Sequence, residues 1–221
     1  MKVLIACDES DEVRWRFEKL GFNAWSCDLQ PNRNPNAKHY QGSVFDIIND
    51  GWDAMIAFPP CTHLAVSGAA WFEQKRKDGR QQEGIDFFMK MVNAPIKHIA
   101  IENPVGIMSK IYMRPTQIIQ PYYFGDEAQK TTCLWLKNLP LLYHNAKPNL
   151  FDSEITHVGQ GEFFEWVDGK TGKTKKQPKW YADAFKLKPE DRSKVRSKTF
   201  PGIAEAMATQ WGNYLKQNKT I

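Results

Sequence analysis

Four short, largely apolar runs, at residues 3–6, 23–27, 54–58 and 98–101, punctuate the first half of the chain. Runs of this length suit buried strands, and the stretches between them carry helical or turn signals. After the first run, Val13, Phe17 and Leu20 recur at i, i+4 and i+7 before Gly21. Ser10 is the expected N-cap of that helix, with Asp11 and Glu12 in its first turn. Residues 30–42 read as a polar loop. Ile85, Phe88, Met89 and Val92 make a second helical stripe, ahead of the fourth run. This alternation predicts an α/β fold, a mostly parallel sheet with helices on both faces. Residues 134–136 read as a further strand and 145–200 as irregular. A hairpin is expected where residues 163–167 meet Asp168-Gly169. The chain then ends in a helix with Ile203, Met207, Trp211, Tyr214 and Leu215 on one face.

The two later runs of the four end in chemistry. Phe58-Pro59-Pro60-Cys61-Thr62 puts a thiol on a stiff turn at a sheet edge, and Ile101-Glu102-Asn103-Pro104 delivers a carboxylate to the same edge. Together they are a nucleophile and a proton donor, the pair that pyrimidine chemistry at C5 requires. A thiolate that adds to cytosine C6 leaves an enamine able to attack an electrophile from C5. A carboxylic acid at N3 eases that addition by neutralising the charge that would build there. The thiol must be partly ionised, and His63 and Lys130 are the candidate cationic neighbours. A buried structural thiol is the plainer reading of Cys61, and Glu102 some 40 residues on is what argues against it.

Composition narrows the setting. The 221 residues are 42% hydrophobic, enough for a substantial core, and include eight Trp and thirteen Phe. The four cysteines form no CxxC pair and the five histidines add no metal-ligand spacing, so reduced thiols and no metal are expected. Residues 2–6 are too short for a secretory leader, and no apolar run approaches the roughly 18 residues of a membrane span. A cytoplasmic location is expected, without membrane contact. The net charge of +5 is uneven: residues 170–198 hold eleven Lys or Arg against three Asp or Glu, so they carry +8 and the remainder −3. Such a segment reads as a polyanion contact or as a solvated basic loop. Lys173, Lys175, Lys176, Lys179 and Arg196 are the candidate phosphate partners. Trp180, with Tyr181 and Phe185, is placed among them as stacking residues are in a nucleic-acid groove.

The first strands also suggest a cofactor crevice. Asp8 and Ser10 follow strand one, Asp28 and Leu29 close strand two, and Asp46 follows in Gly42-Ser43-Val44-Phe45-Asp46. Acids at strand ends in a Rossmann-like sheet can accept ribose hydroxyls. The first turn lacks the glycines with which a backbone approaches a pyrophosphate. A sulfonium cofactor, S-adenosyl-L-methionine, therefore suits this crevice better than a dinucleotide. Taken singly, each aspartate is an ordinary turn or cap residue.

The strings Ala6-Cys7-Asp8-Glu9-Ser10, Ser26-Cys27-Asp28-Leu29, Phe58-Pro59-Pro60-Cys61 and Ile101-Glu102-Asn103-Pro104 resemble the ordered motifs of DNA cytosine-5 methyltransferases, most of all the short phage and prophage form. The likeness continues at Gln129-Lys130-Thr131-Thr132-Cys133-Leu134-Trp135 and over residues 196–204, and so spans nearly the whole chain. It implies Cys61 as nucleophile and Glu102 as the N3 acid, with Asp28 and Asp46 holding the cofactor's ribose and adenine. Asp8, Ser10, Leu29, Phe58 and Pro60 line that pocket in the same expectation. It further implies a catalytic core at 1–144, a reduced target-recognition segment at 145–195 and a helix returning to the core at 196–221. DNA, duplex or single-stranded, is the expected partner, in a bacterial or phage-infected cell, with a monomer expected and a dimer as the alternative. The sequence departs from the wider family in its first loop, in Thr62 where glutamine is common, and in lacking an arginine pair after Glu102, whose place at the base's O2 edge falls to Lys130.

Two rival readings stand beside this one. Pro-Pro-Cys near His63 also resembles the nucleophile string of thymidylate-synthase-type enzymes, which use a folate on a free nucleotide, although Thr62 intervenes here. A catalytically silent DNA-binding relative is the other, and the presence of both Cys61 and Glu102 speaks against it.

Overall fold

The computed structural model of the chain describes residues 1–147 and 154–218. The parts of the 145–195 and 196–221 segments at 148–153 and 219–221 lie outside the described residues. In chain order the first elements are β1 (Lys2–Ala6), α1 (Arg14–Lys19), β2 (Asn23–Asp28), β3 (His39–Gln41), α2 (Val44–Ile47) and β4 (Ala54–Ala57). A 3-10 turn (Val66–Trp71), α3 (Phe72–Lys77), α4 (Arg80–Val92), β5 (His98–Pro104), α5 (Met108–Ile111) and β6 (Gln117–Ile119) follow. After a second 3-10 turn (Pro121–Phe124) come β7 (Thr132–Lys137), β8 (Phe163–Val167) and β9 (Thr174–Pro178). The chain continues through α6 (Lys179–Ala184), α7 (Pro189–Ser197), α8 (Pro201–Ala206), a π-helical stretch (Met207–Trp211) and α9 (Gly212–Gln217).

Two compact units emerge. The first holds Met1–Ile119, Thr131–Tyr143 and the described residues from Ala204 on, and the second holds Gln120–Lys130 with the described residues of His144–Ile203.

The first unit is built on a seven-stranded sheet of order β3-β2-β1-β4-β5-β7-β6. β1 to β5 pair in parallel, while β7 runs antiparallel between β5 and β6. The dinucleotide-binding sheet has order 3-2-1-4-5-6, so an antiparallel strand inserted before the last is the difference. Neighbouring residues of a strand face opposite sides, and Val3, Leu4, Ile5 and Ala6 are all fully buried, so the sheet is covered on both faces. On one side Leu4, Ala6, Met55, Ala57, Ile99 and Ile101 pack with Phe88 and Met91 of α4. The closing helix buries Ile203, Met207, Trp211 and Leu215, the stripe read from sequence, and the Trp211 indole donates to the Pro140 carbonyl at 2.9 Å. The expected mostly parallel, Rossmann-like sheet is thus present. Among the described residues no helix is long and apolar enough to cross a membrane.

Three local expectations need correction. Ser10 does not cap a helix: α1 starts at Arg14 with Val13 as an N-cap lacking a side-chain bond. Ser10 instead serves Asp8, to whose Oδ1 its backbone N–H (3.0 Å) and hydroxyl (2.5 Å) both donate. The 30–42 loop contains β3, which pairs with β2 through Ser26↔His39 to Asp28↔Gln41. Residues 145–200 are not irregular throughout. Pro189 in the first turn of α7, with Glu190 and Asp191 beside it and Lys194 and Arg196 in the last turn, is a complete set of helix-end signals.

The second unit carries the β8–β9 hairpin at the site expected, although its turn is longer than two residues. Asp168 N–H donates to Lys173 O at 2.9 Å, and Asp168 Oδ1 accepts from Thr171 and Lys170 N–H groups at 2.9 and 3.1 Å. Gly172 completes the turn at φ 64°, a conformation that favours glycine.

The loop after β1 is organised by charge. Asp11, itself at φ 69°, pairs with Arg14, whose Nη2 lies 3.0 Å from Asp11 Oδ2, and Asn34 donates to the same oxygen at 3.0 Å. Both members of the pair are buried. Breaking a buried pair from one side leaves an uncompensated charge and costs about 3–5 kcal/mol. Asp11→Ala is therefore expected to destabilise the protein by about that much in chemical denaturation, with Asp11→Asn intermediate.

Candidate active site

The sheet order reverses between β1 and β4, and in open α/β sheets the crevice beyond the carboxyl ends of the strands at such a point is where ligands bind. Four chain segments leave the sheet there: residues 7–10 after β1, 29–30 after β2, 58–61 after β4, and the end of β5 at Glu102-Asn103-Pro104.

The β4 and β5 exits are tied together. The strands pair in parallel up to Ala57↔Ile101. Beyond that, Pro59 and Pro60 have no N–H with which to extend the ladder. The buried Asn103 spans the gap instead, its Nδ2 donating to the Pro59 carbonyl at 2.9 Å. Cys61 opens a helical turn, its carbonyl accepting from Leu64 and Ala65 N–H groups at 2.9 Å each. The following backbone is stitched to the segment after β5 by Val66 N–H to Val105 O (3.0 Å), Ile107 N–H to Leu64 O (3.0 Å) and the Ala65↔Gly106 bridge. Gly106 is required there, because a Cβ on it would stand 2.5 Å from Leu64 O. Cys61 and Glu102 thus share one sheet edge, and both are half-buried. Glu102 sits opposite Leu134 in the β5–β7 register and next to Cys133. Burial, with the Glu102 charge as the smaller cause, pushes the Cys133 thiol up to about 11.

Sequence reading missed Lys75. It sits in the run Lys75-Arg76-Lys77, which reads as a solvated charge patch, yet it is 7% exposed and donates to the Thr62 carbonyl at 2.6 Å. Gln81 likewise reaches the His63 carbonyl at 3.4 Å. His63 follows Cys61 by two residues, with its Nδ1 buried and lacking a hydrogen-bond partner. Lys130 belongs to the second unit, where its ammonium donates to Lys198 O at 2.9 Å.

The proposed cofactor residues divide. Asp8 is buried, and its Oδ2 has no partner while Oδ1 takes both bonds from Ser10. Desolvation holds its carboxyl above the usual range, the Ser10 bonds pulling the other way. Asp28, the last residue of β2, is also raised by burial and accepts from Gln30 N–H at 2.8 Å. An unsatisfied buried acceptor beside a second acid suits a ligand that brings hydroxyl or cationic N–H donors, and not a phosphate. Leu29 is 70% exposed, and Phe58 anchors the β4 exit by donating from its N–H to Ala6 O at 2.9 Å. Pro60 is exposed. Asp46 departs from expectation: it lies inside α2 rather than at a strand end, exposed and accepting from the Tyr40 hydroxyl at 3.2 Å, because Ser43 caps a helix directly after β3.

The basic segment lies in the second unit. Lys173 is exposed, Lys175 pairs with Asp168, and Lys176 rests 4.7 Å from the Phe163 ring centre. Lys179 bridges to Asp183 at 3.0 Å and to Glu162 at 3.8 Å. Trp180 is used internally, its indole N–H reaching Gln129 O at 3.3 Å and its ring meeting Tyr181 and Phe200 edge-on. Arg196 stacks over Tyr181 at 4.7 Å. A cavity of about 670 Å³ is lined by Glu127, Gly161, Glu162, Lys179, Trp180 and Asp183.

No protein-family model matches the chain. No curated protein matches it either. Among solved structures it is similar to a candidate DNA modification methyltransferase encoded within an E. coli prophage, at 17% identity and a TM-score of 0.46. The likeness covers 72% of this chain and 53% of that one, so the chain spans about half the length of the protein it matches.

The Asn103 bond gives a direct test of how the turn is held. Asn103→Ala leaves the Pro59 carbonyl without its donor, which costs about 1–3 kcal/mol in a buried setting. Thermal unfolding is expected to shift down accordingly, and hydrogen exchange at the Leu64 and Ala65 amides to accelerate. Unchanged exchange there would mean that the turn is held without this bond.

Proposed function

We propose that the chain is an S-adenosylmethionine-dependent methyltransferase acting on C5 of cytosine in DNA. The observation that carries this reading is the shared edge of Cys61 and Glu102, two adjacent parallel strands whose exits are locked by Asn103. The Cys61 sulfur adds to C6 of the base while Glu102 protonates N3, so that the electron pair released by the addition resides at C5. S-adenosylmethionine, when bound, supplies an electrophilic methyl group for that carbon. Loss of the C5 proton to water, with the N3 proton returned to Glu102, then restores the ring and expels Cys61 as the thiolate. Asp28 and Asp8 are the residues that would hold the cofactor, through its hydroxyl and ammonium donors. The resemblance of the four motif strings to cytosine-5 methyltransferases supports the same assignment.

DNA containing 5-fluorocytosine tests the chemistry, because fluorine cannot leave C5 as a proton does. Wild type is expected to form a covalent adduct stable to denaturation, and Cys61→Ser none. Glu102→Gln is expected to keep DNA binding and lose about 10²- to 10⁴-fold in rate. Equal trapping by wild type and Cys61→Ser would overturn the assignment.

The acids make a second test with a definite sign. Because burial raises the folded pKa of Asp8 and Asp28, their contribution to stability is present below the unfolded value, about 3.9, and is lost as pH rises through the raised folded value. The ionised form of each therefore carries a burial cost that a donor ligand offsets. Calorimetry is expected to show S-adenosylmethionine binding that weakens as pH falls toward the carboxyl range, and about tenfold or greater loss in Asp28→Ala. No heat with this ligand, but clear binding of a folate, would favour the thymidylate-synthase-type reading.

A further inference from the structure

The β8–β9 hairpin presents two aromatic rings that the sequence reading did not single out. Phe164 and Trp166 occupy alternate positions of β8 and so share a face, and they are 52% and 37% exposed. Their rings are near-parallel, at 27° with centroids 5.9 Å apart. Gln177 and Lys175 stand directly opposite them on β9 and complete the face. None of these four positions is aliphatic, unlike a face built for a protein core. The exposure contrasts with Trp180, whose N–H and ring edges are spent within the unit.

Charge supplies the other half of the observation. The stretch 163–178 holds four lysines against two carboxylates. Asp168 neutralises Lys175, and Lys176 turns to the opposite face over Phe163, but Lys170 and Lys173 of the turn have no carboxylate within ion-pair distance among the described residues. A pair of open π-faces flanked by uncompensated ammonium groups matches the two chemical elements of a single-stranded nucleic acid, stackable bases and phosphates.

We infer that this hairpin face is a single-strand-binding platform, on which Phe164 and Trp166 stack unpaired bases while Lys170 and Lys173 of the adjoining turn meet the flanking phosphates. The inference rests on the proposed function for its choice of nucleic acid as partner, and it names where that substrate is held. Duplex DNA buries its base faces in its own stack, so the platform selects unpaired nucleotides, including those next to a base drawn out of a helix.

Fluorescence anisotropy with a labelled oligothymidylate and the full-length protein tests this. Wild type is expected to bind, and Phe164→Ala and Trp166→Ala each to weaken binding about 5- to 100-fold with the salt dependence unchanged. Trp166→Phe keeps a ring and is expected to stay within about threefold of wild type, which separates stacking from a general loss of structure. Replacing Lys170 and Lys173 by Gln is expected to flatten the log–log salt slope by about 0.7 per lost contact. Ring variants that bind as wild type does, a wild type that ignores oligothymidylate, or a duplex bound equally well with the same ring dependence would each overturn the platform. So would a wild-type dimer in sedimentation that Trp166→Ala dissociates, since the face would then be a protein contact. The 5-fluorocytosine adduct tells the two ideas apart: trapping with ring-independent binding sinks only the platform, and ring-dependent binding without trapping sinks only the methyltransferase.

Discussion

The hydrogen bond from Asn103 to the Pro59 carbonyl does what the backbone at that level of the sheet cannot. A parallel pair of strands is held by alternating N–H and C=O groups, and proline contributes only the second. With Pro59 and Pro60 leaving β4 and Pro104 ending β5, the ladder between these strands stops at Ala57↔Ile101. The exposed Pro60 and half-buried Cys61 can then turn away from the sheet, while a side-chain amide fills the place of the missing ladder bond. The placement of the thiol and the carboxylate depends on that bond, because it sets the two exits against each other. The close approach at Gly106 and the buried Lys75 ammonium on the Thr62 carbonyl brace the same turn from two further directions.

The first loop answers a different problem with a different material. A glycine-rich turn lets backbone come close to a phosphate, whereas here acids fill the space and are held by arginines. Arg14 bonds Asp11 and Glu18, and Arg33 grips Glu9 at 2.6 and 2.9 Å. Among these acids only the Asp8 carboxylate has a buried oxygen without a donor. A loop wired in this way is stiff and negative, which disfavours anionic ligands and favours those carrying hydroxyl or cationic groups.

Much of this was legible in the sequence, for reasons that can be given residue by residue. The strand runs are buried on both faces, so they stand out as unbroken apolar segments at 3–6, 54–57 and 98–101. The prolines of Pro-Pro-Cys and Glu-Asn-Pro mark strand exits because proline has no N–H with which to extend a central ladder. What escaped was set by tertiary contact. β3 is three residues of mixed polarity whose strand state comes from pairing with β2. Asp46 looked like a strand-end acid because the capping Ser43 directly follows an unrecognised strand. Lys75 carries no local sign that its ammonium is buried. The aromatic richness of 163–166 was visible, but which rings face outward is decided by the hairpin register.

The thiols of the first unit have a practical consequence. Burial raises Cys7 far above the ordinary value, Cys27 to about 12 and Cys133 to about 11, with neighbouring carboxylates adding to each. Thiolate is the form that reacts, so at neutral pH these three are chemically quiet. Cys61, on its turn outside the sheet, is the remaining cysteine. A soft electrophile applied to the native fold therefore meets a nearly silent background from these three, so that any modification reports on the turn without the other cysteines having to be engineered away. The same arrangement keeps these three sulfurs, mostly thiol at neutral pH, from exchanging into disulfides.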